Sequence, residues 1–540
     1  MKNQVIDFAI IGGGISGAYA AWRLKHACPG KNIQLFEYSN RIGGKLLTVQ
    51  LPGMPDVNAE LGGMRIIPSE HKLMAALVSV MGLALRDFPM GAKDDPMGDN
   101  NIAYFRERRM KVGDLAKSDV IPYKLDWAER GFGPNDLQAQ VMKMLVPEWQ
   151  SLSDDDWFEV EVLGRPLWEY GFWNLLYEVL SPEGYQFIRE ACGYDTNVCN
   201  GNAVNLLPTG GEYDGSSTYQ TPVKGMQAIP VAVAEHFVNL GGNLHFNQCL
   251  KRIVRRDDGR YDLQFVRTAT VNGKTHLLAQ GSDIQSHAQA EHVILAMPRV
   301  ALESIEWDQW QRNEFLKKNI PSVLVQNAFK LVLGYEYAWW KALGLTAGRS
   351  LTDLPIRQTL YFGEQDNDAG ESRSKRANPG KGKSTRNKTA RALLMASYSD
   401  ITNVPFWKGL ERGESFGEEP QAHLATDRMV KAAQRQIAEL HGQRALPEPY
   451  AAAYRDWSEF PFGGAWHSWK AGFKYNEIAR QMTHPVKSEK VYICGEAYSK
   501  DQGWAEGALE TAEQMLTDDL GLKPHESVSQ RSDPMRRKRY

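Results

Sequence analysis

The run Ile10-Ile11-Gly12-Gly13-Gly14-Ile15-Ser16-Gly17 decides the fold. It closes an apolar stretch, residues 5–11, broken only by Asp7, that reads as a buried strand. The glycines keep G-x-G-x-x-G spacing, each for its own reason. Gly12 permits a tight turn, Gly14 lets the backbone approach a pyrophosphate, and Gly17 lets the following helix pack close to the strand. That helix opens near Gly14, so its free N–H groups face the phosphates, and it stops before Pro29-Gly30. Residues 32–37 read as a second parallel strand ending at Glu37, 20 residues after Gly17, where an acid binds ribose hydroxyls. The pattern is a βαβ nucleotide-binding unit. By itself it does not separate NAD from FAD, and a glycine-rich turn without a ligand is the competing reading.

The chain around this unit has 540 residues, too many for one ordinary core, so two or three domains are expected. Lys and Arg number 63 against 65 Asp and Glu, a balance that gives no electrostatic reason to expect nucleic acid as a partner. Five scattered cysteines without CxxC spacing predict reduced thiols, no disulfide framework and no zinc or other metal site, as in a cytoplasmic protein. No signal peptide is evident at the N-terminus. The longest apolar helical run, residues 73–85, is too short to span a bilayer, so no membrane partner is expected.

Ser69 is placed to cap a helix whose apolar positions Leu73, Ala76, Leu77, Val80 and Met81 follow helical spacing. Residues 120–205 read as largely helical. Phe172, Leu175, Leu176, Val179 and Leu180 make a packing face that Ser181-Pro182 ends. From about 225 strands take over. Gly225-Met226 opens a helix; 243–254, 261–266, 292–297, 323–333, 356–362 and 390–398 read as strands. A helix at 425–441, a buried strand at 491–494 and a helix at 504–516 follow. Residues 364–390 are polar and rich in Gly, Ser, Lys, Arg and Asn, a flexible surface insertion, and 526–540 form a basic tail.

Two further motifs bear on the cofactor. Arg41-Ile42-Gly43-Gly44 follows Glu37 and brings a second glycine pair to the pyrophosphate, with an Arg to offset its charge. Gly495-Glu496 ends the last strand and Gly503-Trp504 opens the last helix, whose positive end would face the flavin ring where negative charge builds on reduction. A plain NAD dehydrogenase needs no such C-terminal return, so these motifs favour FAD.

Taken together, Ile10 to Gly17, Arg41-Ile42-Gly43-Gly44 and Gly495-Glu496 resemble the flavin-containing amine oxidase family. That family includes monoamine and polyamine oxidases, tryptophan monooxygenase and the L-amino-acid oxidases. Pro222-Val223-Lys224-Gly225-Met226, Ile294-Leu295-Ala296-Met297-Pro298 and Cys249-Leu250-Lys251-Arg252-Ile253 are similar to its middle segments, so the resemblance covers nearly the whole chain. It implies an α/β (α+β mixed) architecture. A Rossmann-type FAD-binding domain would comprise residues 1–68, 225–320 and 466–525. A mixed-sheet substrate-binding domain would take 69–120 and 321–465, and a helical domain 121–224. The cofactor would lie against Gly12, Gly14, Ile15, Ser16, Gly17, Glu37, Tyr38, Arg41, Gly43, Gly44, Gly63, Met64, Arg65, Leu250, Met297, Gly495, Glu496, Gly503, Trp504 and Ala505.

Within the family, Leu61-Gly62-Gly63-Met64-Arg65 resembles the L-amino-acid oxidase segment whose Arg grips the substrate carboxylate, a role that suits a guanidinium fork. A partner for FAD phosphate or a buried salt bridge is the alternative for Arg65. Residues 350–361 look like the segment that supplies a second carboxylate ligand, the hydroxyl of Tyr361. Gly503 would offer its carbonyl to the α-amino group, and Trp504 and Trp466 would wall the substrate, with plain packing as the alternative for each Trp. Lys330 falls within an apolar strand, where a charge is costly without a task. The family places a Lys there, holding a water against flavin N5; the alternative is a Lys that snorkels to the surface.

The resemblance thus implies an FAD-dependent L-amino-acid oxidase, often dimeric. It would pass hydride from Cα to flavin N5 and electrons on to O2, giving 2-oxo acid, ammonia and H2O2. An amide-forming amino-acid monooxygenase, a polyamine or monoamine oxidase and a non-catalytic flavoprotein are the competing readings.

Overall fold

The computed structural model describes residues 5–207, 217–278, 286–365, 390–417 and 422–524. The expected insertion at 364–390 falls, from 366 to 389, outside the described residues, as does the basic tail.

The apolar run at the N-terminus forms the strand Ile6–Ile11 at the centre of an eight-stranded sheet. It pairs in parallel with Ile33–Phe36 on one side and Ser286–Ala296 on the other. Asn243–His245 and Val491–Cys494 extend the parallel core outward. Tyr261–Val271 and Gln248–Arg255 add an antiparallel wing. Residues 243–254, expected as one strand, are thus two, because Asn247 takes a left-handed backbone between them. The register sets Ile11 beside Phe36 and Leu295, and Leu295 beside Ile493. The loops that begin at Gly12, Glu37, Met297 and Gly495 therefore all leave from the carboxyl ends of neighbouring strands, where open α/β sheets bind ligands.

The helix Ile15–Ala27 lies against the helices Ala228–Asn239 and Ala505–Gln514. Tyr19, Trp22, Phe237 and Leu509 bury one face of the sheet with them. Lys72–Val80 joins this layer through Met74, Leu77 and Val78. It belongs to the nucleotide-binding core, not to the substrate-binding domain that the boundary at 69 gave it. Its N-terminus differs from expectation too. His71, not Ser69, is the residue before its first turn, and no side chain of its own caps it. Glu506 does so from across the core, accepting from the amides of Leu73 and Met74 at 2.8 Å each.

A second, seven-stranded sheet runs in the order Ala451–Asp456, Ala328–Tyr335, Ala392–Asp400, Gln358–Glu364, Arg349–Thr352, Ile102–Phe105, Arg108–Lys111. All its pairs are antiparallel except Arg349–Thr352 with Ile102–Phe105. Alternation along the strands divides it into two faces. Phe329, Leu331, Leu333, Tyr361 and Leu394 pack under the helix Asp427–His441. Val332, Leu360, Leu393 and Met395 pack toward Leu47, Leu61 and Trp457 of the segment that returns from the first sheet. The site lies on that second side.

Residues 120–206 form the short helices Pro134–Leu145, Phe172–Val179, Pro182–Ala191 and Ala203–Leu206, linked by 3-10 turns. Phe172, Leu175 and Leu176 are fully buried, as the stripe predicts. Ser181 both ends one helix and starts the next, accepting from Gly184 N at 3.0 Å with Pro182 in the first turn. All five cysteines are free, and among the described residues no helix is long and apolar enough to cross a membrane.

Candidate active site

The glycine turn has the geometry its spacing implies. At Gly12, φ is +114° and a Cβ would stand 2.2 Å from the carbonyl oxygen of Ala296, so only glycine fits. A Cβ on Gly17 would lie 1.9 Å from the Gly12 carbonyl, which is how the helix comes so close to the strand. Gly14 faces open space, its nearest contact being Gly44 Cα at 3.9 Å. The helix behind it has no side-chain cap and no acid in its first turn, so its amides are left for an anion. Glu37 braces the same turn: one carboxylate oxygen accepts from Gly13 N at 2.6 Å, the other from the amide and hydroxyl of Ser39 at 2.8 and 2.6 Å. Each oxygen keeps acceptor capacity for ribose hydroxyls. These features fit the pyrophosphate and ribose of a dinucleotide.

One cavity connects this turn to the second sheet. Glu37, Tyr38 and Leu250 line one end, Gly12, Gly14, Ile15, Ser16, Gly43, Gly44 and Met297 the middle, and Gly63, Lys330, Trp466, Gly495, Glu496, Gly503, Trp504 and Ala505 the other. Four expected cofactor residues, Gly17, Arg41, Met64 and Arg65, stand outside its lining. Met64 is buried with Leu47, Leu61 and Leu360, so the cavity meets the backbone at Gly62 and Gly63 instead. Arg41 turns its guanidinium to the carbonyls of Gly44 and Leu46, at 2.6 and 3.2 Å, and lines a neighbouring cavity with Lys274 and Arg455. It holds the Gly43-Gly44 loop from behind rather than facing the pyrophosphate.

Glu496 gathers three cofactor-side loops. One oxygen accepts from His467 N at 2.8 Å and Gly503 N at 3.0 Å; the other accepts from His467 Nδ1 at 2.8 Å and Lys45 Nζ at 2.9 Å. Although burial favours the neutral acid, Lys45 and His467 hold this carboxyl far below the usual range. Sequence reasoning missed Lys45 and His467. Lys45 directly follows the glycine pair, a signal that was available; His467 carried none.

At the far end, Lys330 lies opposite Tyr398 in the strand pairing, and its ammonium stands 4.3 Å from the centre of the Tyr398 ring. Its Nζ donates to the carbonyls of Gly62 at 2.6 Å and Glu60 at 3.2 Å. Lys330 is thus buried and does not snorkel. Burial pushes its ammonium down to about 7, with Glu60 opposing the shift and Arg65 adding to it. Burial likewise pushes the Glu60 carboxyl up to about 7, against hydrogen bonds from Met226 N and Thr48 and the charge of Lys330.

Arg65 is buried beside this group. Its guanidinium lies 4.4 Å from the centre of the Tyr219 ring and 5.5 Å from that of Phe88, with one nitrogen 3.0 Å from Met90 Sδ. Among the described residues no carboxylate forms an ion pair with it. Tyr361 does not join it. The Tyr361 hydroxyl bonds Ser350 Oγ at 2.7 Å and His441 Nε2 at 2.8 Å, on the face under the helix Asp427–His441. Its neighbour Leu360 holds the face toward the cavity, and at this end of the cavity Tyr398 is a lining tyrosine. Trp466 donates its indole N–H to Thr196 Oγ1 at 3.1 Å, and Trp504 packs on His71 with ring centres 4.5 Å apart.

A family model described as flavin containing amine oxidoreductase matches residues 15–515. Aplysianin-A of Aplysia kurodai is 30% identical over 537 residues, covering 96% of this chain and 90% of that protein. An L-amino-acid oxidase of Siganus canaliculatus is 22% identical over 524 residues, covering 95% of this chain and 84% of its own length. Among solved structures, a redesigned triple mutant of putrescine oxidase superposes with a TM-score of 0.64 at 16% identity, covering 95% of this chain and 98% of that one. A likeness at that identity is one of fold.

Proposed function

Since the chain belongs to the flavin-containing amine oxidoreductase family and its cofactor is FAD, we propose that it is an L-amino-acid oxidase. The observation that carries this reading is Arg65: a buried guanidinium between two aromatic rings, without an ion-pair partner among the described residues, two positions after the cavity-lining Gly63. A buried cation is costly unless an anion meets it, and a substrate carboxylate is such an anion. A simple amine would leave it unmatched. The L-amino-acid oxidase of Siganus canaliculatus supports the same choice.

When bound, FAD supplies the two-electron acceptor for the substrate Cα–H and passes the electrons to O2, giving H2O2. The chain's own work is placement. Arg65 would clamp the carboxylate, the carbonyl of Gly503 would accept from the α-amino group, and Trp466 and Trp504 would wall the substrate and exclude water. Lys330, near its midpoint at neutral pH, can hold or release a proton at Nζ beside the reacting centre. The imino acid leaves and takes up water, giving a 2-oxo acid and ammonia.

An oxygen-consumption screen over the L- and D-amino acids, with product analysis, tests this. We expect uptake with L-amino acids and 2-oxo acid and H2O2 in equal amounts. An amide with loss of CO2 would instead make the protein a monooxygenase, and uptake with amines alone would reject the reading.

A further inference from the structure

The walls of the substrate end are set from behind by a part of the chain that does not line it. The turn Asp195–Val198 of the helical region reaches the second sheet beside Tyr398. Two residues beyond Tyr398 on the same strand, Asp400 is wholly buried and grips this turn. One of its oxygens accepts from Asp195 N and the other from Thr196 N, both at 2.9 Å.

The side chain of Asp195 is engaged in turn. Its carboxylate meets Arg357 Nη2 at 3.3 Å and Arg189 Nε at 3.7 Å, and accepts from the amide and hydroxyl of Thr402. Arg357 adopts φ +55° at this spot, a conformation that costs energy for a non-glycine residue and persists only where its surroundings fix it.

Both residues that flank Asp195 touch a cavity wall. Tyr194 packs edge-on against Tyr398, with ring centres 5.2 Å apart and planes at 80°. Thr196 accepts the indole hydrogen bond of Trp466. One buried carboxylate thus holds the backing of two cavity rings at once. The turn also offers no spare anion to a substrate side chain, because Asp195 and Asp400 are spent on Arg357, Arg189 and backbone amides.

We propose that Asp400 is a positioning residue for substrate choice: its grip on Asp195 and Thr196 fixes the separation of the Tyr398 and Trp466 rings and so favours L-amino acids with large apolar side chains over small ones. This rests on the oxidase reading of the same site.

The test compares kcat/KM for L-phenylalanine, L-leucine and L-alanine in the holoenzyme and in two variants. Thr196→Val is isosteric and removes only the acceptor for Trp466, leaving the backbone amides that Asp400 holds. Asp400→Asn weakens the grip itself. We expect the unaltered protein to favour L-phenylalanine over L-alanine at least about tenfold, as a side-chain pocket of good fit allows. Thr196→Val should cut that ratio about fivefold, chiefly through KM for L-phenylalanine, and Asp400→Asn should cut it further. Combining the two should give less than the sum of the single effects, since Asp400 reaches Trp466 through Thr196. A merely structural role would lower all three substrates alike. An unchanged ratio in flavin-loaded Thr196→Val and Asp400→Asn overturns the proposal; if Asp400→Asn retains no flavin, Thr196→Val decides alone. Should the unaltered protein oxidise amines and no amino acid, the oxidase reading is what has failed.

Discussion

Lys330 Nζ donates to the carbonyl of Gly62 at 2.6 Å, which ties the seven-stranded sheet to the loop that carries Arg65 three residues later. Two cations are thereby held in one buried group, and Arg65 helps to push the Lys330 ammonium down to about 7.

The sign of that shift gives a pH dependence. Lys330 is charged below about pH 7 and neutral above it. Negative charge develops on oxygen as O2 is reduced, and a neighbouring ammonium favours it. Reoxidation of reduced enzyme by O2 should therefore slow as pH rises through 7. Lys330→Met should be slower by roughly tenfold at low pH, the equivalent of about 1.4 kcal/mol of lost charge stabilisation, and flat with pH. A stopped-flow trace with an unaltered rate and an unaltered break would remove Lys330 from this role.

Tyr361 faces Ser350 and His441 rather than the cavity, so its hydroxyl supports the fold. Tyr361→Phe should lower stability by about 1 kcal/mol, leaving buried partners short of a hydrogen bond. KM for the best L-amino acid should not change. A large rise in KM with unaltered stability would return this hydroxyl to the substrate.

Glu506 caps the helix Lys72–Val80 from the first turn of the helix behind Trp504. Glu506→Ala should cost about 1–2 kcal/mol, the usual value of a lost cap, and lower the thermal midpoint. Glu506→Gln, which keeps one acceptor oxygen, should fall between the two. Equal midpoints in all three proteins would show that the cap contributes nothing.

The outcome at these residues shows what a sequence can carry. The glycine turn was legible because each glycine answers a local steric demand, and Gly12 and Gly17 meet those demands against Ala296 and Gly12. Tyr361 was misplaced because strand side chains alternate, so an offset of one residue from Leu360 exchanges the two faces of the sheet. Ser69 was the nearest local cap for its helix, but the cap comes from Glu506, 433 residues from Leu73. Tyr398 could not be tied to Lys330 without the strand register that sets them opposite one another. Arg41 was assigned by its place beside the glycine pair and by its charge, while its position is decided by the carbonyls of Gly44 and Leu46.

The carboxylate clamp is the central claim, and the most direct test mixes the oxidised enzyme anaerobically with its best L-amino acid and, separately, with the amine left when that amino acid loses its carboxyl group. We predict rapid bleaching of the flavin with the amino acid and little with the amine. In Arg65→Ala, kcat/KM for the amino acid should fall at least about a hundredfold while the bound flavin keeps its absorbance, since a paired guanidinium–carboxylate contact is worth roughly 3 kcal/mol. Equal bleaching by the amine, or an Arg65→Ala enzyme as active as the unaltered one, would contradict the account.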